Sequence, residues 1–166
     1  KIEVLVGQLD AYKAAVTPPN SWAADLNNHV AIYNIQLEPG ATFELPATAS
    51  GVNRSIYYYE GNGLQIGGQT IAHYHAADVD ATQVCTFKNG TEASKVLVLQ
   101  GRPINEPVVQ HGPFVMNSKE EIYQAFQDYQ QTQFGGWPWP RYDQVHDAKL
   151  GRFAKHADGR MEEPRG

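Results

Sequence analysis

The sequence predicts an all-β domain, a sandwich or barrel of short strands, with one or two helices at its C-terminal end. Three observations carry this. Short runs rich in Val, Ile, Tyr, Thr and Phe are separated by Gly and Pro turns, the spacing of an antiparallel sandwich or barrel and not of βαβ units. Fifteen Gly and ten Pro supply those turns, while nine Tyr, six Phe and three Trp favour pleated surface. Only the stretch after Ser118 shows a clear helical period.

In chain order, residues 2–6 (IEVLV) alternate and stop at Gly7, a strand signal. Residues 10–28 carry a Pro pair and Asn/Asp clusters and are expected to form a long loop. Residues 30–37 (VAIYNIQL) form a strand closed by Glu38-Pro39-Gly40, and 42–45 a short one stopped by Pro46. Residues 54–60 (RSIYYYE) run into Gly61-Asn62-Gly63, which signals a hairpin with 64–66 as its return strand. Gly67-Gly68 turns the chain again, and 70–74, 83–87 and 95–99 complete the strands, with Asn89-Gly90 as another tight turn. Period-2 alternation places Arg54, Ile56, Tyr58 and Glu60 on one face, so Arg54 and Glu60 require either partners or a solvated rim.

Residues 101–117 (GRPINEPVVQHGPFVMN) are expected to be a rigid strap crossing a core, because Pro103, Pro107 and Pro113 hold themselves and their predecessors extended. A helix over 118–132 comes next. Ser118 and Glu121 fit a capping box, and Ile122, Ala125, Phe126 and Tyr129 recur at i, i+3, i+4, i+7. The expected organisation is a barrel with strap and helix over 1–134. A tail over 135–166 then docks through Trp137, Trp139, Tyr142 and Phe153 on this barrel, a missing half or another copy.

At 166 residues the chain has room for one proper core. No apolar run approaches the ~20 residues of a membrane span. The net charge of −5 leaves no electrostatic footprint for nucleic acid. Lone Cys85 cannot pair internally and suits a reducing, cytoplasmic setting. It reads as a buried small hydrophobe and not as a reactive thiolate. Gly61-x-Gly63 precedes a strand, so it is not a phosphate loop, and no nucleophile-elbow pattern occurs. The start at Lys1, inside a strand, is expected to be a cut boundary.

The string EPV…GPFVMN, the helix EEIYQAFQDYQ after it, and weaker matches from Ile2-Glu3-Val4 to the RFAKHADGRMEE tail resemble the pirin family. Pirins are two-cupin proteins, and the match is to the second, C-terminal cupin. The resemblance implies a cupin-type double-stranded β-helix, a jelly-roll barrel. It also implies that iron or another divalent metal, and a quercetin dioxygenase activity, belong to the first, N-terminal cupin.

Cupin metal ligands obey two signatures, G-x5-H-x-H with a Glu three or four residues on and a Gly six further, then P-x-G-x2-H-x3-N. Laid on this chain from Gly61 and Gly90, the first-signature slots fall near Thr48, Ser50 and Arg54. The second-signature slots fall on Ala93 and Leu97. None is a ligand type, and a guanidinium where the carboxylate belongs repels a cation. The alternative ligand set is His73 and His75, at i and i+2 on one strand face, with His111 of the strap. Each has a plainer reading as a loop, edge-strand or backbone-bonding residue. His29, His146 and His156 read as solvated or interface residues.

No residue is therefore assigned a catalytic or cofactor-binding role. The resemblance implies two functions. One is a metal-free second cupin that caps a metal-binding N-terminal cupin of the same protein and is inactive alone. The other is a regulatory protein-interaction module, like the family's transcriptional co-regulator, without catalysis. A self-sufficient metalloenzyme on His73, His75 and His111 is the third reading, and self-association into a homo-oligomer stays open.

Overall fold

The computed structural model describes residues 1–143 and 146–163, which form two compact units, Lys1–Ile104 and Asn105–Gly166. In chain order the strands of the first unit are β1 (Ile2–Val6), β2 (Gln8–Leu9), β3 (Tyr12–Lys13), β4 (Ala31–Leu37), β5 (Thr42–Leu45), β6 (Asn53–Glu60), β7 (Gln65–Ile66), β8 (Gln69–Thr70), β9 (His75–Asp80), β10 (Cys85–Lys88) and β11 (Ser94–Gly101). They form a five-stranded sheet in the order β1-β4-β11-β6-β9, a four-stranded sheet in the order β5-β10-β7-β8, and the small hairpin β2-β3. Every pairing is antiparallel.

Strict alternation explains which residues fill the space between the sheets. Along β4, Ala31, Tyr33, Ile35 and Leu37 are buried while the residues between them are half-exposed. The register then builds layers across the five-stranded sheet. Ile35, Val96 and Tyr58 form one, and Tyr33, Val98 and Ile56 the next. The four-stranded sheet contributes Leu45, Ile66, Cys85 and Phe87 to the same cluster. Phe87 is fully buried, with its ring 5.9 Å from that of Phe43. Phe87→Ala is expected to cost about 4 kcal/mol through lost transfer energy plus the cavity left behind. Urea denaturation measures this, and a loss under ~1 kcal/mol would show the site to be collapsible.

Several expectations change. Gly61-Asn62-Gly63 does not turn a hairpin, because β7 pairs with β10 and β8 and not with β6. The segment carries the chain from one sheet to the other, and Leu64, fully buried, anchors the crossing. Asn89-Gly90 is likewise a corner between sheets, since β10 and β11 are not partners. The strand expected over 70–74 stops at Thr70. Tyr74 takes a left-handed φ of 61°, and β9 begins at His75 from a sequence, HAADVD, with weak β-propensity. Residues 10–28 are not wholly loop, for they hold β3 and two short 3₁₀ turns, Trp22–Ala24 and Leu26–Asn28.

The strap expected over 101–117 is not extended throughout. Its Val109–His111 (β12) and Phe114–Met116 (β13) fold into a hairpin over Gly112-Pro113, with Val108 and Val115 exposed. Helix α1 (Lys119–Thr132) starts at Ser118 with both halves of the expected capping box in place. Phe126 packs edge-on against Phe114 at 4.8 Å and His111 at 5.4 Å, and Phe114 also meets Tyr129 at 6.2 Å. In the tail, Trp137 lies 4.8 Å from Trp139 and stacks on Tyr142 at 6.1 Å, while His146 meets Phe153 at 4.7 Å. A last hairpin pairs Ala154–Lys155 (β14) with Met161–Glu162 (β15). Residues 144–145 and 164–166 of that tail lie outside the described residues.

Candidate functional site

The inward face of β11 continues past Val98 to Gln100, and the register sets Gln100 opposite Ala31 on β4 and Arg54 on β6. The layer above Tyr33, Val98 and Ile56 is thus polar. Arg54 is only 3% exposed. Its Nε donates to Gln100 Oε1 at 2.8 Å and its Nη2 to Pro46 O at 2.8 Å. Gln100 Nε2 in turn donates to His29 O at 3.1 Å. Nη1 of Arg54 is buried and has no hydrogen-bond partner among the described residues.

This layer forms part of the wall of a cleft of about 680 Å³ at one end of the barrel. The hairpin β2-β3 and residues 14–17 form one side, and the turns around 23–30 another. Residues 46–48 and the inner ends of β4 and β6 complete it. The wall at 22–30 is fixed by long-range bonds. Trp22 Nε1 donates to Arg102 O at 2.9 Å, Arg102 N to Asn28 O at 2.7 Å, and Asn28 Nδ2 to Trp22 O at 2.8 Å. Tyr33 donates its hydroxyl proton to Gln8 O at 2.7 Å, which ties the hairpin to β4.

Burial pushes the Tyr33 hydroxyl and the Cys85 thiol above their ordinary pKa, and the nearby Arg54 charge opposes both shifts. Burial also lowers the pKa of Arg54 itself, though a guanidinium stays charged. Cys85 is therefore a protonated, buried thiol, as its strand context predicts.

The positions that the cupin signatures mark do not converge. Thr48, partly buried in the loop after β5, has its hydroxyl 3.4 Å from His29 Nδ1 and its amide bonded to Ala81 O at 2.7 Å. Ser50 and Ala93 are exposed. Leu97 lies on the outer face of β11, between the inward Val96 and Val98. Arg54 alone points inward, with Ile56 and Tyr58. Glu60 leaves that face and forms an exposed ion pair with Lys95 at 2.8 Å. A bulge is the reason. Lys95 pairs with Glu60 but Val96 with Tyr58, so Tyr59 is the extra residue and turns Glu60 to the opposite face.

His73 and His75 are both exposed, and the turn at Tyr74 removes the shared strand face. His73 Nε2 lies 3.1 Å from Tyr59 O and His75 Nδ1 3.0 Å from His73 O, so each is engaged with backbone. Among the described residues no three His, Cys, Asp or Glu side chains gather at one point. The interior donor set, a guanidinium beside a glutamine amide and a tyrosine, does not fit a divalent cation.

Sequence reasoning missed Gln100 and His29. Gln100 was legible, since Ser94, Val96, Val98 and Gln100 continue one period-2 series. His29, expected to be solvated or at an interface, is half-buried at the cleft rim because its left-handed φ of 50° closes the turn 26–28.

Two antiparallel sheets enclosing one core, open at an end lined by polar side chains, define a cupin barrel. The "Pirin C-terminal cupin domain" family matches residues 32–135, and the chain belongs to the pirin family. It is 37% identical over 136 residues to a Pseudomonas aeruginosa protein provisionally named quercetin 2,3-dioxygenase, covering 78% of this chain and 44% of that one. It is 35% identical over 108 residues to human "Pirin", covering 61% and 36%. A crystal structure of a quercetin 2,3-dioxygenase from Acinetobacter baumannii superposes with a TM-score of 0.66 at 27% identity, over 81% of this chain and 43% of that one. The chain thus spans about half the length, or less, of the curated relatives it matches. No helix among the described residues is long and apolar enough to cross a membrane.

Proposed function

We propose that this chain is the second, metal-free cupin of a longer pirin-like protein of the cytoplasm. In this reading it caps an N-terminal cupin that holds iron or another divalent metal and carries a quercetin-type dioxygenase activity. The observation that carries it is Arg54. Arg54 is a buried guanidinium, and laying the cupin signature on the sequence back from Gly61 gives it the slot of the ligand carboxylate, which supports an interior that holds no cation. Relatives about twice as long leave room for a first barrel. The outer face of the five-stranded sheet also offers apolar surface to one. Ile32, Tyr57, Leu97 and Leu99 adjoin there, with Tyr57 43% and Leu99 36% exposed.

The full-length protein is expected to hold one divalent metal per chain by elemental analysis and to consume quercetin with oxygen. Residues 1–166 alone are expected to do neither. A stoichiometric metal or flavonol turnover in residues 1–166 would refute the capping role. Turnover absent from both, with a specific protein partner recovered, would favour the regulatory module instead.

A further inference from the structure

We propose that Asn62 is a site of spontaneous deamidation, and that the isoaspartate formed there loosens the crossing between the two sheets. The chain has two Asn-Gly pairs, Asn62-Gly63 and Asn89-Gly90. In such a pair the glycine lacks the Cβ that would hinder attack by its own amide. The glycine nitrogen attacks the Cγ of the asparagine side chain. An N–Cγ bond forms, the Cγ–Nδ2 bond breaks, and ammonia leaves with the amide proton. Water then opens the resulting succinimide at either carbonyl. Opening at Cγ leaves aspartate. Opening at the main-chain carbonyl leaves isoaspartate, with the chain running through Cβ and Cγ.

The structure separates the two pairs. Asn62 and Gly63 are both exposed, so water reaches them. Among the described residues nothing bonds to the Asn62 side chain, and the Gly63 amide donates to no acceptor. The side chain is free to turn toward that nitrogen, and the nucleophile has no bond to break first. Asn89 is 5% exposed, and its Nδ2, the leaving group, donates to Leu37 O, Glu38 O and Glu92 O. Ring closure there requires the loss of those bonds at a buried corner, so Asn89 reacts only from an opened state. Asp158-Gly159, which closes the same ring more slowly from a carboxyl, is tied as well. Its Gly159 amide donates to His156 O at 3.0 Å, and its carboxylate accepts from the Arg160 amide at 2.9 Å.

Packing decides what the product does. The segment 61–63 lies against the corner at Gly90, where a Cβ on Gly90 would meet Asn62 O at 2.6 Å and Gly63 Cα at 3.1 Å. Isoaspartate adds an extra atom to the main chain at that contact. Backbone packed on backbone has no room for it, so the crossing must shift and strain its anchor, the fully buried Leu64. Aspartate at 62 adds only an exposed charge and leaves the main chain as it was. The damage thus comes from the isoaspartyl link and not from the charge.

The test ages the full-length protein in warm, mildly alkaline buffer and follows tryptic peptides by mass spectrometry. Lys88 places the two Asn-Gly pairs in separate peptides. Asn62 is expected to convert at least about ten times faster than Asn89 in the folded protein, and at a similar rate in urea, where no protection remains. The aged protein is expected to melt roughly 5 °C lower. A methyltransferase that repairs isoaspartate to aspartate, supplied with S-adenosylmethionine, should restore the original melting. Fresh Asn62→Asp should melt within about 2 °C of the original, because the side chain is exposed and unbonded. Asn62→Gln, whose larger ring closes slowly, should keep its melting temperature on ageing. Asn62 converting no faster than Asn89 in the folded protein overturns the proposal. So does an aged protein that melts like the fresh one, or an Asn62→Gln protein that loses stability equally on ageing.

Discussion

Asn89→Asp is expected to destabilise the barrel by about 4 kcal/mol at neutral pH. Asn89 is buried at the corner between β10 and β11, and its Nδ2 donates to three carbonyls. These are Leu37 O at 3.1 Å, Glu38 O at 2.8 Å and Glu92 O at 2.8 Å. The substitution removes both N–H donors and sets an anionic oxygen against three acceptors. Burial and those carbonyls raise the folded-state pKa of the introduced carboxyl above its unfolded value of about 4. The folded protein then binds a proton over a pH range where the unfolded chain has released it. Stability relative to the original is therefore best below about pH 4 and falls as pH rises towards the folded value. Urea unfolding of both proteins near pH 4 and near pH 7 measures the gap. A penalty under ~1 kcal/mol at neutral pH, or one that grows on acidification, would refute this account of the corner.

Gly61→Ala is expected to cost about 3 to 5 kcal/mol and to lower the melting temperature by roughly 10 °C. Two penalties combine. Gly61 has a φ of 111°, a conformation that side chains rarely adopt, which costs of order 1–3 kcal/mol. A Cβ there would also lie 2.6 Å from Ala93 O and against Ser94 Oγ, at the start of a central strand that cannot retreat. Gly90 is similarly enclosed, since a Cβ there would lie 2.6 Å from Asn62 O. These two crossings between the sheets, at 61–63 and 89–90, therefore pack backbone on backbone. Differential scanning calorimetry decides the matter. A shift of only 1–2 °C would mean that the crossing relaxes and that the glycine serves chain reversal alone.

Those crossings explain why part of the fold was legible and part was not. Glycine and asparagine at 61–63 and 89–90 signal turns correctly, but the same residues serve a hairpin and a move between sheets. Only the pairing of β7 with β10 distinguishes the two. Strand β9 carries little sequence signal because an edge strand needs few β-branched residues when a central neighbour, β6, holds it by backbone bonds. The strap departs from expectation for a related reason. Its prolines restrict their own segments, yet Gly112-Pro113 still permits reversal, and the hairpin β12-β13 results.

The candidate site shows the same division. Arg54 stands out in sequence as a charge on an apolar face, and alternation marks Gln100 as inward without marking it as the partner of Arg54. Gln100 and Pro46 lie 46 and 8 positions away from it, and nothing local marks them, or His29 beyond Gln100, as neighbours.

Alternation and capping are local, so the sequence by itself determined the inward series on β4, β6 and β11 and the helix start at Ser118. Only the tertiary structure decided which face Glu60 takes, because one bulged residue inverts a strand's pattern. Sheet register alone brought a buried guanidinium, a glutamine and an open cleft together, because hydrogen-bonded pairing joins residues far apart in the chain.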